Sequence, residues 1–72
     1  MTRTELNTIA AILAKHYQLR GIVSDTEVKD EVRNLARKRA NGNLDDRQHY
    51  LAASIHCATG RDVTELHAGY KH

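Results

Sequence analysis

The sequence predicts an all-α fold, a compact bundle of three main helices plus a short C-terminal helix. Composition is the first indication, because nine Ala, no Pro, no Phe, no Trp and only three Tyr favour helices over strands. The second indication is that helix-capping residues recur along the chain and precede segments of helical apolar spacing. With 72 residues the chain has the length of one small domain, residues 1–72, with a core of modest stability.

Predicted helix 1 spans residues 3–20. It starts with a capping box, in which Thr2 and Glu5 satisfy each other's backbone N–H groups. Gly21 is the expected stop. Residues at helical spacing form its apolar face, which covers about half of the circumference: Leu6, Ile9, Ile12, Leu13, Tyr17 and Leu19.

Predicted helix 2 carries the strongest local signal in the chain. Ser24 and Glu27 have the spacing of a capping box, and Val23 can pack on Val28 as a hydrophobic staple. The Asn41-Gly42 pair is the expected end. The helix therefore spans residues 25–40, with an apolar stripe of Val28, Val32, Leu35 and Ala36.

Predicted helix 3 spans residues 45–58 and predicted helix 4 spans residues 63–68. Asn43 or Asp45 begins helix 3, and Gly60 follows its end. Asp62 is the expected cap of helix 4, with Glu65 in the box position. The residues expected to face inward are Leu44, Leu51, Ile55 and Ala58 on helix 3 and Val63, Leu66 and Tyr70 on helix 4.

The positive charge is concentrated in the stretch RNLARKRANG, residues 33–42. This stretch carries a charge of +4, whereas the segments before and after it each carry −1. We call its four cations the basic ridge: Arg33, Arg37, Lys38 and Arg39. One explanation is electrostatic compensation at the negative C-terminal end of helix 2, worth roughly 0.3–1 kcal/mol per charge at low salt. The other is that the ridge contacts a partner.

The position of Arg39 indicates a role beyond charge compensation at the helix end. It lies about 20° from Val28 on the helical wheel, so it continues the apolar stripe. An arginine there must extend past the core or meet a partner.

The partner of the ridge is either an acidic protein surface or a nucleic acid. Aligning helices 3 and 4 with a helix-turn-helix motif fails, because His56 stands where a small residue is needed. Three tyrosines also offer little surface for base stacking. A protein partner is therefore the leading expectation, and a nucleic-acid-binding regulator is the alternative.

The histidines and the cysteine do not form a metal or catalytic motif. His49 and His56 share a face of helix 3, but about 10.5 Å of helix rise separates them. His56 and Cys57 point about 100° apart, which opposes a base–nucleophile pair, and Cys57 is expected to be a small core residue. We therefore expect no enzyme, cofactor or metal, with a histidine-based metal-responsive protein as a third alternative.

The wide apolar face of helix 1 predicts an interface, either with a second copy or with a heterologous protein. His16 on this face is expected to be a core histidine bonded to a tyrosine hydroxyl, or else a pH-sensitive interface residue. The candidate interface residues are Ile9, Leu13, His16, Tyr17 and Arg20.

The remaining sequence features concern location and function class. Cys57 is the only cysteine, no apolar run reaches the length of a membrane span, and the N-terminus lacks the pattern of a secretion signal. We expect a cytoplasmic protein without membrane contact. A short helical chain of this kind is typical of small regulators and inhibitors from bacteria, phages and plasmids. The expected function is to bind a protein partner and modulate or inhibit it.

Overall fold

A computed structural model describes residues 1–68 of the chain and places four helices in them. They are α1 (Arg3–His16), α2 (Asp25–Ala40), α3 (Asp46–Thr59) and α4 (Val63–Ala68). The predicted all-α fold of three main helices and a short fourth is confirmed, and no strand occurs in the described part. Tyr70, expected to face inward, lies outside the described residues.

Three of the four helix starts follow from side-chain caps that the sequence predicts. Thr2 and Glu5 form the complete capping box at the start of α1. Ser24 caps α2 by accepting from the Glu27 amide at 3.2 Å, but its hydroxyl, not its backbone, donates to the Glu27 carboxylate. Asp45 caps α3 in a box with Gln48.

The start of α4 is organised by Asp62 in a different way from the expected box. One carboxylate oxygen of Asp62 accepts from both the amide and the hydroxyl of Thr64, at 3.2 and 2.6 Å. Glu65 does not take part in this arrangement within the described residues. The first turn of α4 is therefore fixed by two bonds to a single carboxylate.

Helix α1 is shorter than predicted. It ends at His16 instead of Arg20, because Gln18 adopts a left-handed conformation with φ of 55°. The Leu19 amide then donates to the Ala14 carbonyl at 2.7 Å, which closes a Schellman motif. Gly21 has no role in this stop, so the predicted helix end was wrong. Leu19 lies outside the helix and is 48% exposed.

The ends of α2 and α3 use glycine at the left-handed position, as the sequence predicts. Gly42 has φ of 69° and Gly60 has φ of 73°. At the end of α2 the Asn43 amide donates to the Lys38 carbonyl at 2.8 Å, so the Schellman motif recurs there.

The core lies where all four helices meet, and α4 packs chiefly on α2 while α1 packs on α3 and α2. Val23 and Val28, the predicted staple pair, are both buried in it. The predicted stripe of α2 is buried throughout. Ala58, which was expected to face inward, is exposed, and Leu44 is half-buried. The core comprises Leu6, Ile9, Leu13, Val23, Val28, Val32, Leu35, Leu51, Ala52, Ile55, Val63 and Leu66.

Two arginines bind elements that are distant in sequence. Arg3 and Asp25 form a bidentate pair at 2.8 and 2.7 Å, which joins the N-terminal ends of α1 and α2. Arg61 donates to both carboxylate oxygens of Glu5, at 3.2 and 3.1 Å, and so joins the α3–α4 turn to α1. These pairs fix the outer ends of the bundle.

Candidate functional site

The basic ridge lies on the last two turns of α2. This helix has acidic residues in its first turn and basic residues in its last turn. Asp25 and Glu27 lie at the N-terminal end, and three members of the ridge lie in the last turn. This order compensates the helix dipole at both ends. The four cations nevertheless differ in their surroundings.

Arg39 belongs to the fold. Its Nη1 donates to Oδ1 of Asp62 at 2.7 Å, and its side chain is only 37% exposed. Its buried Nε has no hydrogen-bond partner among the described residues. The position of Arg39 on the apolar stripe therefore directs it towards the cap of α4, inside the molecule.

The carboxylate that Arg39 binds is held in its charged form. Partial burial of Asp62 raises its pKa by desolvation, but the bonds from Thr64 and the charge of Arg39 outweigh that effect. The pKa of Asp62 is lowered overall. Asp62 is thus charged at neutral pH.

Arg33 is partly engaged within its own helix. Its Nη2 donates to Oδ1 of Asp30 at 3.0 Å, with both side chains close to half exposed. A guanidinium has five N–H donors, so Nη1 and Nε of Arg33 remain available to a ligand.

Arg37 and Lys38 are the uncompensated cations of the ridge. Neither side chain takes part in an ion pair or hydrogen bond with another residue in the 1–68 region. Arg37 is exposed and Lys38 is half-buried. Two of the four positive charges of the ridge are therefore without a counter-ion in this region.

A cleft of ≈ 350 Å³ lies between α4 and two members of the ridge, Arg33 and Arg37. We call it the α2/α4 cleft, and it is lined by Arg33, Ala36, Arg37, Ala40, Thr64 and His67. Its lining contains no acidic residue. The small alanine side chains form one wall and leave room between the arginines and α4.

Thr64 and His67 were missed by the sequence reasoning. They lie three residues apart on α4, next to the buried Val63 and Leu66. Their spacing was visible in the sequence, but the pairing of α4 with α2 was not. Only that pairing places His67 opposite Arg37.

The candidate interface on helix 1 is divided by the structure. Ile9 and Leu13 are buried in the core of the chain itself. His16 is half-buried, Tyr17 is partly exposed beyond the helix end, and Arg20 is exposed in the loop. The wide apolar face from which an interface was inferred is therefore mostly covered by α2 and α3, and these residues do not share one surface.

His16 does not have the partner that was expected. Its ring is perpendicular to the Tyr17 ring, with centroids 4.8 Å apart. The Tyr17 hydroxyl donates instead to Glu31 at 2.8 Å. Desolvation of the hydroxyl and this bond to Glu31 raise the pKa of Tyr17 to about 12. Tyr17 therefore joins the end of α1 to α2.

A second and larger groove, of ≈ 590 Å³, runs between α1 and α3. Cys57 lines it and is exposed, so its expected place in the core was wrong. Tyr50 stands at its edge with 69% of its surface exposed. The groove is lined by Ile12, Lys15, His16, Tyr50, Leu51, Ser54, Cys57 and Ala58.

Neither a metal cluster nor a membrane span occurs in the described part of the chain. Within residues 1–68, no three His, Cys, Asp or Glu side chains come together in a way that could hold a metal ion. None of the helices described has the length and apolar composition needed to cross a bilayer.

Comparison of the chain with protein-family models, with curated proteins and with solved structures gives no match. The fold and the two grooves define a small helical protein with a partly neutralised basic surface.

Proposed function

We propose that this chain is a non-catalytic binding protein that attaches to an acidic surface of a protein partner and modulates or inhibits it. The observation that supports this proposal is that Arg37 and Lys38 are uncompensated in the 1–68 region and that Arg37 lines a cleft with no acidic residue in its lining. Charged surfaces of this kind steer association and select partners of opposite charge.

The count of free cations favours a protein over a nucleic acid. Each phosphate contact on duplex DNA contributes about 0.9 to the salt slope, and DNA-binding proteins commonly make roughly 6–10 such contacts. Arg37 and Lys38 together account for a slope of about 1.8. Arg39 is occupied by Asp62, and Arg33, which uses one nitrogen for Asp30, raises the slope to about 2.7 at most. The ridge alone is therefore too weak for general binding to nucleic acid.

Exposed apolar side chains on other surfaces also support a protein partner. Ile22 is 99% exposed in the α1–α2 loop, close in sequence to the half-exposed Leu19. Tyr50 is exposed at the edge of the groove between α1 and α3. Large apolar and aromatic side chains are the usual anchors of protein interfaces. None of these residues lies on the ridge, where base stacking would need them.

The test is a pull-down from host lysate with the double variant Arg37→Ala/Lys38→Ala. The matched control is Arg3→Ala/Arg47→Ala, which removes two exposed cations outside the ridge and outside both grooves. We expect the wild type and the control to capture the same protein after nuclease treatment, and the ridge variant to lose it.

Two results would contradict the proposal. Capture that disappears with nuclease would favour the nucleic-acid alternative. Equal capture by the ridge variant and the control would mean that these cations serve only to compensate the helix dipole.

A further inference from the structure

We infer that the α2/α4 cleft is an anchor site for a glutamate side chain of the protein partner. This inference rests on the proposed function and adds to it the chemical group that is recognised and the residues of α4 that take part. Its basis is the combination of cationic groups with an alanine wall in one cavity.

The cationic groups lie along the α2 side of the cleft. Arg37 has no internal counter-ion within residues 1–68, and Arg33 uses only Nη2 for Asp30. Guanidinium groups bind carboxylates through pairs of parallel hydrogen bonds, which are stronger than bonds between neutral groups. Two arginines one turn apart on α2 can therefore bind the two oxygens of one carboxylate.

The rest of the lining favours a ligand with an aliphatic segment next to its carboxylate. Ala36 and Ala40 present methyl groups, and the hydroxyl of Thr64 is already donated to Asp62 at 2.6 Å. The wall is therefore largely apolar and offers no free hydroxyl proton to an anion. A glutamate places two methylene groups against such a wall, whereas an aspartate has one and a free phosphate has none.

The volume of the cleft is suitable for one acidic side chain and the backbone next to it. A volume of ≈ 350 Å³ lies near the lower end of the roughly 300–1,000 Å³ found for small-ligand pockets. The cleft holds one acidic side chain with adjacent backbone. His67 lines the cleft from the α4 side.

The experiment titrates the full chain with a polyglutamate peptide and follows backbone amide shifts by NMR. A polyaspartate peptide of equal length and inorganic phosphate are the comparison ligands. We expect the polyglutamate shifts to centre on Arg37, Ala40, Thr64 and His67, with weaker binding of both comparison ligands.

The decisive variant is Ala40→Leu, which fills the cleft without changing any charge. Ala40 is exposed at the end of α2, so the variant is expected to fold. The matched control is Ala53→Leu, at an exposed alanine of α3 outside the cleft. We expect Ala40→Leu to weaken polyglutamate binding about tenfold or more, the size of one lost charge-assisted contact, and Ala53→Leu to bind normally.

Three results would overturn the inference: normal binding by Ala40→Leu, equal binding of phosphate or polyaspartate, or no shift of the cleft amides. Failure of the proposed function would be seen in the pull-down instead. Capture of the host protein would then not depend on Arg37 and Lys38. If Arg37→Ala/Lys38→Ala loses the host protein while Ala40→Leu retains it, the ridge binds the partner but the cleft does not.

Discussion

Arg39 at the end of α2 and Asp62 at the start of α4 are joined by a 2.7 Å hydrogen bond between charged groups. The same carboxylate also organises the first turn of α4 through Thr64. The pair therefore joins the end of α2 to the start of α4, beside the α2/α4 cleft, while the buried Val63 and Leu66 pack α4 on the core. Arg39 therefore supports the structure of the site, whereas its neighbours on the ridge are available to bind a ligand.

The Arg39–Asp62 pair should show measurable coupling in a double-mutant cycle. We expect Arg39→Ala and Asp62→Ala to couple by about 1 kcal/mol in urea unfolding, at the upper end of the usual range for exposed pairs, because Asp62 is only 15% exposed. The matched control is the exposed Asp30–Arg33 pair, for which about 0.2–0.5 kcal/mol is expected. Equal coupling in the two cycles would show that partial burial adds nothing.

The left-handed conformation of Gln18 predicts that Gln18→Gly stabilises the protein. A non-glycine residue there costs roughly 1–2 kcal/mol, and part of the gain is lost to the greater freedom of glycine in the unfolded chain. We expect a net increase of about 0.5–1 kcal/mol in the free energy of unfolding.

Gly42→Gln is the reverse change at the equivalent position of α2. A Cβ at Gly42 meets no atom within 4 Å, so only the backbone conformation opposes the substitution. We expect it to destabilise the protein by about 1 kcal/mol. If both substitutions changed stability in the same direction, the conformational argument would be wrong.

Most of the local structure was predictable from the sequence, since it depends on residues close together in the chain. The Thr2–Glu5 box, the Ser24 cap and the buried stripe of α2 all follow from spacing. The early end of α1 was not predictable, because glutamine at a left-handed position carries no sequence signal. This turn is closed by backbone bonds from Gln18 to the Lys15 carbonyl and from Leu19 to the Ala14 carbonyl.

The candidate site was predictable only in part, for a different reason. The helical wheel showed that Arg39 is unusual among the ridge cations, but its counter-ion is 23 residues away on another helix. Likewise, the α4 wall of the cleft depends on which helices pack together. Sequence spacing along one helix contains no information about that pairing.

Acid should destabilise the protein through its paired carboxylates. The Thr2 amide, which is bonded to Glu5, and the nearby Arg61 lower the pKa of Glu5 despite its partial desolvation. Hydrogen bonding to Arg3 lowers the pKa of Asp25, and the pKa of Asp62 is lowered as well. A lowered folded-state pKa contributes stability above the unfolded-state value, and this stability is lost as the pH falls through the folded-state value.

We therefore expect the free energy of unfolding to decrease steadily below about pH 5. The variant Glu5→Gln should show a shallower decrease. The control is Glu65→Gln, because the side chain of Glu65 forms no ion pair within residues 1–68. Urea unfolding across the acid range measures both, and equal slopes would contradict the role assigned to Arg61 and Glu5.

Tyr17 should ionise unusually late in alkaline solution. Desolvation and the bond to Glu31 raise its pKa to about 12, whereas an unfolded tyrosine ionises at about 10. The sign is opposite to that of the carboxylates: this contribution is complete below about pH 10 and is lost as the pH rises towards 12. Tyr17→Phe should remove the step near pH 12 from the ultraviolet tyrosinate titration, and Tyr50→Phe should leave that step in place. Glu31→Gln should move the step to lower pH.

The last prediction separates stability from binding at the basic ridge. If Arg37 and Lys38 contribute to the fold only through the helix dipole, each should contribute roughly 0.3–1 kcal/mol at low salt and less at high salt. We expect Arg37→Ala/Lys38→Ala to remain folded, with a small loss of stability that decreases as salt is added. By contrast, Asp62→Ala removes an ion pair and the cap of α4, and its larger loss should persist at high salt because the pair is partly buried. Urea unfolding of both variants at low and high salt measures the difference. A large and salt-independent loss of stability in Arg37→Ala/Lys38→Ala would show that these residues support the fold. Their effect on partner capture would then be measured with charge-conserving variants such as Arg37→Lys.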